Sequence, residues 1–379
     1  MDKRQMPAVS IVAERSYEPE AVYRAVRRAV DILGGMDRFV PLGARVLLKP
    51  NLLRGASPEK AVNTHPSVVR AAVRLVREAG GVPHIGDSPA LQSFGAAAAG
   101  CGLKDLADEM GVPLLPLVDS IEVKNDRPGS VFRRVELARE AWEADVIINL
   151  PKVKTHQQMM LTLAVKNMFG CVVGLRKAQW HMRAGVERGR FARMLVELSR
   201  LLSPALTIVD GIVAMEGEGG PGSGDPVSVG VLVAGEEPAA VDRTLARLLG
   251  APEAAVPTLV ASTDDRGDHR VVGERIEDVA IGRFTLPSLV DVTFGPRTIR
   301  RHLRDWSTSR PAPLRTVCSL CMDCQLVCPA GAIRQENGRI VICYDECIRC
   351  YCCQEVCPQG AMGVSRGWLL RLAGRHSHG

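Results

Sequence analysis

Ten of the chain's twelve cysteines fall between Cys318 and Cys357. They form two copies of one pattern, Cys318-x2-Cys321-x2-Cys324-x3-Cys328-Pro329 and Cys347-x2-Cys350-x2-Cys353-x3-Cys357-Pro358. The copies start 29 residues apart, and nine of sixteen positions agree between CSLCMDCQLVCPAGAI and CIRCYCCQEVCPQGAM, so this is an internal repeat. Clustered cysteines in a chain of this kind point to metal binding rather than disulfides. Three thiolates at x2 spacing wrap one corner of an iron–sulfur cubane, and the fourth, carried off by the next turn, reaches a second cluster. The chemistry to expect is single-electron transfer.

The module resembles the bacterial two-cluster ferredoxin domain. That resemblance assigns Cys318, Cys321, Cys324 and Cys357 to one 4Fe-4S cluster and Cys347, Cys350, Cys353 and Cys328 to the other. Zinc is the competing ligand for paired CxxC motifs, but it does not call for the twice-used x2-x2-x3-Pro pattern. Cys343-x3-Cys347-x2-Cys350 also spells the CxxxCxxC text of radical-SAM enzymes, yet two of those cysteines already belong to the repeat. Cys343 is therefore read as a buried strand residue and Cys352 as a neighbour of a cluster.

A second group of polar residues closes apolar runs. Lys49 and Asn51 follow RVLLK, Asp87 follows VPHIG, and Asn149, Lys152, Lys154, Thr155 and His156 close ADVIINL. In a parallel sheet these positions converge on one edge, where ligands bind. Lysines supply point charges while Asn and Thr fix orientation, which suits a carboxylate or phosphate. Lys166 and Asn167, ahead of a Gly-punctuated apolar stretch, and Asp210 and Glu216, after LTIVD, complete the candidate pocket. Any one of these lysines alone reads better as a solvated loop residue; the group reads as a pocket. His181 is read as structural.

Gly217, Gly219 and Gly222 formally spell GxGxxG. The dinucleotide fingerprint needs a strand directly before and a helix directly after. Here the loop begins six residues past LTIVD, contains Pro221 and leads into SVGVLVA, another strand. It reads instead as a flexible loop whose backbone can approach a ligand. Asp210, Glu216, Glu218 and Asp225 could hold a divalent cation, although loop acids are more often only solvated.

These residues need a frame. At 379 residues the chain has room for roughly two to three domains. With 46% hydrophobic and 24% charged residues it is neither disordered nor fibrous. Strand-like runs at 9–13, 45–49, 82–86, 114–118, 144–150, 206–210 and 228–234 alternate with helical patterns at 20–33, 67–79, 104–110, 190–202 and 237–249. Pro66 at the first turn and Gly80-Gly81 just past the end frame the second helix. The alternation predicts an α/β domain over 1–295, a mostly parallel sheet covered by helices, with TLVAST and DVAIGRF as further short strands. Residues 296–314, with Arg297, Arg300, Arg301, Arg304 and Arg310, read as a basic connector. A small α+β ferredoxin-like domain is expected over 315–364 and a tail over 365–379.

Net charge is +6, a mild pointer to an anionic partner, while aromatics at 4% are too few for a base-stacking nucleic-acid surface. No apolar run reaches the ~18 residues of a membrane span. The first twenty residues lack the apolar core of a signal peptide, so a cytoplasmic location is expected.

LLKPNL, NTHPSVVRA, IGDSP, NLPKVKTHQQMMLTLAVKNMFG, IVDGIVAMEGEGGP and AVDRTLARLLG together resemble the prokaryotic family catalogued as domain of unknown function 362, over about residues 40–250. That family often carries a C-terminal two-cluster ferredoxin module. The resemblance implies an α/β fold and iron–sulfur redox chemistry without naming a substrate. Two functions follow. In the first, an oxidoreductase relays single electrons through two 4Fe-4S clusters to or from a small anionic substrate or an organic cofactor, flavin-like or deazaflavin, at the lysine-rich edge. In the second, a non-catalytic carrier or accessory protein docks on a partner enzyme. A redox partner protein or a small-molecule substrate is expected either way. A nucleotide-using ligase or kinase is weaker, because no Walker-type GxxxxGK[ST] occurs.

Overall fold

The computed structural model describes residues 6–185, 187–262, 268–288 and 309–365. Most of the basic stretch expected as a connector, up to residue 308, and the tail from residue 366 lie outside them. The strands in chain order are β1 (Ala8–Ala13), β2 (Arg45–Pro50), β3 (Val82–Asp87), β4 (Leu114–Pro116), β5 (Ser120–Lys124), β6 (Arg134–Ala138), β7 (Val146–Leu150), β8 (Lys152–His156), β9 (Met160–Thr162), β10 (Leu206–Glu216), β11 (Asp225–Gly235) and β12 (Arg270–Gly273).

Apart from the separate β5–β6 hairpin, these strands form one ten-stranded sheet. Its order is β12-β1-β11-β10-β7-β2-β3-β4, with β8 paired to β10 and β9 to β8. The run β10-β7-β2-β3-β4 is parallel throughout, while β11 is antiparallel to both its neighbours. All five residues of β7 are buried, as a strand with helices on both faces requires. Helices Pro19–Asp31, Pro66–Glu78, Phe94–Gly100 and Leu103–Met110 pack one face. Arg188–Leu202 and Pro238–Leu248 pack the other. The protein is an α/β fold.

Topology decides where a ligand can sit. After β2 the chain steps outward to β3 and β4, then returns to β7 on the other flank of β2 and continues to β10. The strand order therefore reverses between β2 and β7, and a crevice opens at their carboxyl ends. Lys49 stands opposite Asn149 at that point.

Some expectations need correction. Lys152–His156, expected as a loop after β7, is strand β8, and all five of its residues are buried. Strand β10 does not stop at Asp210 but runs to Glu216, so the glycine-rich stretch joins it to β11 as a hairpin connection. TLVAST and DVAIGRF do not form strands. Helices Pro257–Ala261 and Ile276–Val279 stand there, the first started by a proline at its N-terminus. The strand in this region is β12, parallel to β1.

The cysteine-rich module is held by two small ladders. β13 (Arg310–Pro313), expected to be connector, pairs with β16 (Met362–Ser365), and β14 (Ile333–Glu336) with β15 (Arg339–Ile342). The repeat in sequence is also a repeat in backbone. Leu320 and Met322 have φ of 57° and 68°, and Arg349 and Tyr351, at the matching offsets in the second copy, have 57° and 61°. Left-handed backbone is costly for such side chains and persists where the surroundings impose it.

A cleft at the sheet edge closed by the cysteine-rich module

Lys49, fully buried at the end of β2, donates to Asp87 Oδ2 at 2.9 Å across the β2–β3 edge. Asp87 also accepts from the amides of Leu52 at 2.8 Å and Ser88 at 2.7 Å, which spreads its charge over several donors. Gly170 lies against this pair, and a Cβ there would fall 2.5 Å from Asp87 Oδ1. Three amides then staple the crevice: Asn51 Nδ2 donates to Asn167 Oδ1 (2.9 Å), and Asn167 Nδ2 to Asn149 Oδ1 (2.8 Å). Asn167 belongs to the short helix Ala164–Asn167, whose first amides are capped by Asp242 at 2.6 and 3.2 Å. Burial raises the Asp242 carboxyl to about 8 against those two hydrogen bonds.

Deeper in, Lys152 Nζ donates to Asp210 Oδ2 and to the Tyr17 hydroxyl, both at 2.8 Å. The Tyr17 hydroxyl donates to Asp210 Oδ1 at 2.7 Å, and the amide of His65 donates to Oδ2 at 2.9 Å. Burial first, then Asp210, pushes the Tyr17 phenol far above its ordinary value, so it stays a donor. Its ring stacks on His65 with centroids 3.7 Å apart. Lys154, also buried, donates to the carbonyl of Val62 at 2.7 Å. Burial and the nearby Lys166 push its ammonium well below the usual lysine range.

The cysteine-rich module supplies the remaining wall. Glu355, on the helix Cys352–Val356, accepts a 2.6 Å hydrogen bond from His156 Nε2 and lies 3.9 Å from Lys166 Nζ. The tautomer follows from the other ring nitrogen: His156 Nδ1 accepts from the amides of Gln158 (3.0 Å) and Met159 (3.2 Å), so Nε2 carries the proton. Burial, then Lys166, lowers His156 to about 4. Burial alone would raise Glu355, but Lys166 and the His156 hydrogen bond outweigh it and hold the carboxylate ionised. Arg54 ties the docking together, donating to the carbonyls of Cys357 and Gly222.

The resulting cleft has a volume of about 70 Å³, and Lys49, Asp87, Lys166, Asn167, Lys177 and Glu355 are among its walls. Asn51 and Thr162 line it too, and each keeps a buried oxygen, Oδ1 and Oγ1, without a hydrogen-bond partner.

Inside the module, two separate cavities are walled by thiols. Cys318, Cys321, Cys324 and Cys357 line one; Cys328, Cys347, Cys350 and Cys353 line the other, with Cys352 beside them. Backbone amides of Ala361 and Ala332 donate to the sulfurs of Cys357 (3.1 Å) and Cys328 (3.3 Å). Among the described residues, no three His, Cys, Asp or Glu side chains converge closely enough to hold a single metal ion. Right-handed and left-handed residues in alternation turn amide N–H groups into a concavity, the kind of nest that cradles anionic clusters. The loops around Leu320–Met322 and Arg349–Tyr351 carry such left-handed residues twice over.

A family model described as Domain of unknown function (DUF362) matches residues 46–247, more than half of the chain. The protein belongs to that family. A thylakoid-associated protein of Synechocystis sp. is 40% identical over 304 residues, covering 77% of this chain and 92% of its own. The lactate racemase apoprotein of Thermoanaerobacterium thermosaccharolyticum aligns in structure with a TM-score of 0.39 and 13% identity, over 64% of this chain and 57% of that one. The DUF362 match takes in the whole lysine-rich edge but leaves out Tyr17 and the cysteine-rich module.

Of the expected pocket residues, Lys49, Asn51, Asp87, Lys166 and Asn167 line this DUF362 cleft. Asn149 supports it through Asn167, and His156 through Glu355. Lys152 and Asp210 form a buried pair away from its walls, and Lys154, bonded to the Val62 carbonyl, is not among its lining residues either. Glu216 does not join them; at the far end of β10 it accepts from the amide of Thr285 at 2.6 Å. His181, read as structural, is buried with its ring stacked on Phe191 at 4.0 Å, and its Nδ1 has no hydrogen-bond partner. Glu355, Tyr17, His65, Lys177 and Arg54 were not legible as site residues. Glu355 left one trace: it stands where the first repeat copy has Leu326.

Proposed function

We propose that this DUF362 protein is an iron–sulfur oxidoreductase that moves single electrons between two 4Fe-4S clusters and a small anion held at the sheet edge. The observation that carries the reading is the position of Glu355. It lies between Cys353 and Cys357, which wall different thiol cavities, and its carboxylate reaches His156 in the α/β domain. The segment that would ligate both clusters is thus also a wall of the cleft.

The thiol sets suit cubanes because each iron of a cubane takes one thiolate, so the sulfurs surround a body rather than meet at a point. Cys318, Cys321, Cys324 and Cys357 would hold one cluster, and Cys347, Cys350, Cys353 and Cys328 the other. Bound there, they supply one-electron transfer at potentials tuned by amide hydrogen bonds to sulfur and by solvent access. The remaining work falls to the chain. Lys166 and Lys177 attract the anion, the Asn51–Asn167–Asn149 chain fixes the crevice, and His156 keeps its Nε2 proton at neutral pH. Cys321 is exposed while Cys350 and Cys353 are buried, which favours electron exchange with a partner protein on the Cys321 side. The lining of Lys49, Asn51, Thr162, Lys166 and Lys177 suits a small anion.

Anaerobically purified protein is analysed for iron, sulfide and zinc, reduced stepwise, and then denatured to release any organic cofactor. Expected are about eight irons and eight sulfides per chain, a reducible signal from both clusters, and no released chromophore. Zinc in place of iron would end the redox reading. A released flavin would move the electron acceptor from a diffusible anion to a resident group. A cytoplasmic working place is part of the proposal; cell fractionation separates it from the thylakoid association named for the relative.

A further inference from the structure

We propose that the cleft selects a small monocarboxylate, and that Glu355 imposes the single-charge limit by occupying part of the cationic wall. This rests on reading the cleft as the substrate site.

The charges are few enough to count. Lining the cleft are three ammonium groups, Lys49, Lys166 and Lys177, and two carboxylates, Asp87 and Glu355, which leaves one positive charge. Lys49 is spent on Asp87 at 2.9 Å. Lys177 donates to the carbonyls of Ser88 and Val172, and burial brings it to about 8, still cationic at neutral pH. Lys166 is held only loosely by Glu355, at 3.9 Å. His156 is neutral by its tautomer, and Lys154 has a carbonyl rather than a carboxylate as its acceptor.

A ligand with one negative charge completes this balance. A dianion would place its second charge beside the Glu355 carboxylate in a partly buried site, where like charges repel far more strongly than in water. The cleft also offers uncommitted hydrogen-bonding atoms. Thr162, 2% exposed, has a hydroxyl with no partner, and Asn51 Oδ1 is likewise unpaired. Thr162 can donate to a carboxylate oxygen, and Asn51 can accept from a ligand hydroxyl or a bridging water. The chain itself shows what the wall accepts, because the group already seated against His156 and Lys166 is a carboxylate.

The test is anaerobic titration calorimetry on the full, cluster-loaded chain with acetate and malonate as probes, at a pH near 7. Wild type is expected to bind acetate at least tenfold more tightly than malonate. Glu355→Gln removes the charge while keeping the shape, and is expected to shift the ratio at least tenfold towards malonate. Lys166→Met is expected to lose acetate binding. Equal or tighter binding of malonate by wild type, no binding of either probe, or a Glu355→Gln protein with an unchanged ratio would each overturn the proposal. The wild-type ratio stands as a test even if the variant fails to hold its module. Iron and sulfide measured on the same samples keep the two readings apart. Acetate preference without clusters would remove the redox reading alone, and clusters without the preference would remove the charge limit alone.

Discussion

Glu355 Oε1 lies 2.6 Å from His156 Nε2, and the two side chains come from opposite parts of the chain. One projects from the second cysteine motif, the other from the last position of strand β8. Because both ring nitrogens of His156 are engaged, the imidazole has one protonation state and one orientation in which all three hydrogen bonds are made. The cleft and the thiol cavities are therefore built as one object.

Cysteine variants separate ligands from bystanders. Cys353→Ala is expected to remove about half of the bound iron, four of roughly eight atoms per chain. Cys343→Ala and Cys101→Ala are expected to leave the iron content unchanged. Metal analysis of anaerobically purified variants measures this directly, and equal iron loss from Cys343→Ala would show that the ligand sets are misassigned.

The Lys152–Asp210 pair, 1% and 0% exposed, is a buried ion pair whose members cannot be removed singly without stranding a charge. Lys152→Met is expected to destabilise the α/β domain by about 3–5 kcal/mol, read as a fall in the denaturant midpoint. A shift below about 1 kcal/mol would mean that Tyr17 and the His65 amide suffice to hold Asp210.

Gly170→Ala tests how closely the turn Met168–Cys171, which follows helix Ala164–Asn167, packs on the Lys49–Asp87 pair. With the new methyl group 2.5 Å from Asp87 Oδ1, either the pair or the backbone must move. A loss of about 1–3 kcal/mol is expected, together with weaker anion binding in the cleft. Unchanged melting and unchanged acetate binding would show that the edge is plastic.

Acid should loosen the fold through its histidines. Burial lowers His65 to about 4, His156 to about 4 and His181 to about 3. Unfolded, each returns to about 6.5, so between these values the unfolded chain binds more protons. The stability contribution is full above about pH 6.5 and is lost as the pH falls towards 4, by up to roughly 1.4 kcal/mol per pH unit for each histidine. Denaturant midpoints at about pH 7 and about pH 5.5 measure the net slope, in which Asp242, raised to about 8, offsets one histidine because it holds a proton only in the folded chain. His181→Phe, which keeps the stacking on Phe191, should flatten it; an unchanged slope would exclude His181.

The α/β frame was readable because its strands are short, buried apolar runs closed by polar residues, as at Arg45–Pro50 and Val146–Leu150. The edge residues Lys49, Asn51, Asp87 and Asn167 were readable for the same reason, since strand ends in a parallel sheet share one side. Strand β8 was not, because Lys152, Lys154 and His156 look like loop residues until Asp210, Val62 and Glu355 are placed beside them. Tyr17 and Glu355 were out of reach for a different reason. Each acts across a sequence separation of more than 190 residues, and neither sits at the end of an apolar run. Helix Pro257–Ala261 misled because a five-residue apolar run has no period long enough to tell helix from strand.

The two cysteine motifs share sequence and left-handed turns, so the module has an approximate twofold symmetry and, on shape alone, two ways to dock. One residue breaks the tie. Where the second copy presents Glu355 to His156, the first presents Leu326, which is 66% exposed and has no charge to offer. Turned end for end, the module would set an apolar side chain against Lys166 and leave the Nε2 proton of His156 unanswered. A single acidic substitution within a duplicated motif thus acts as a key, admitting one orientation and thereby fixing which half of the repeat faces the cleft.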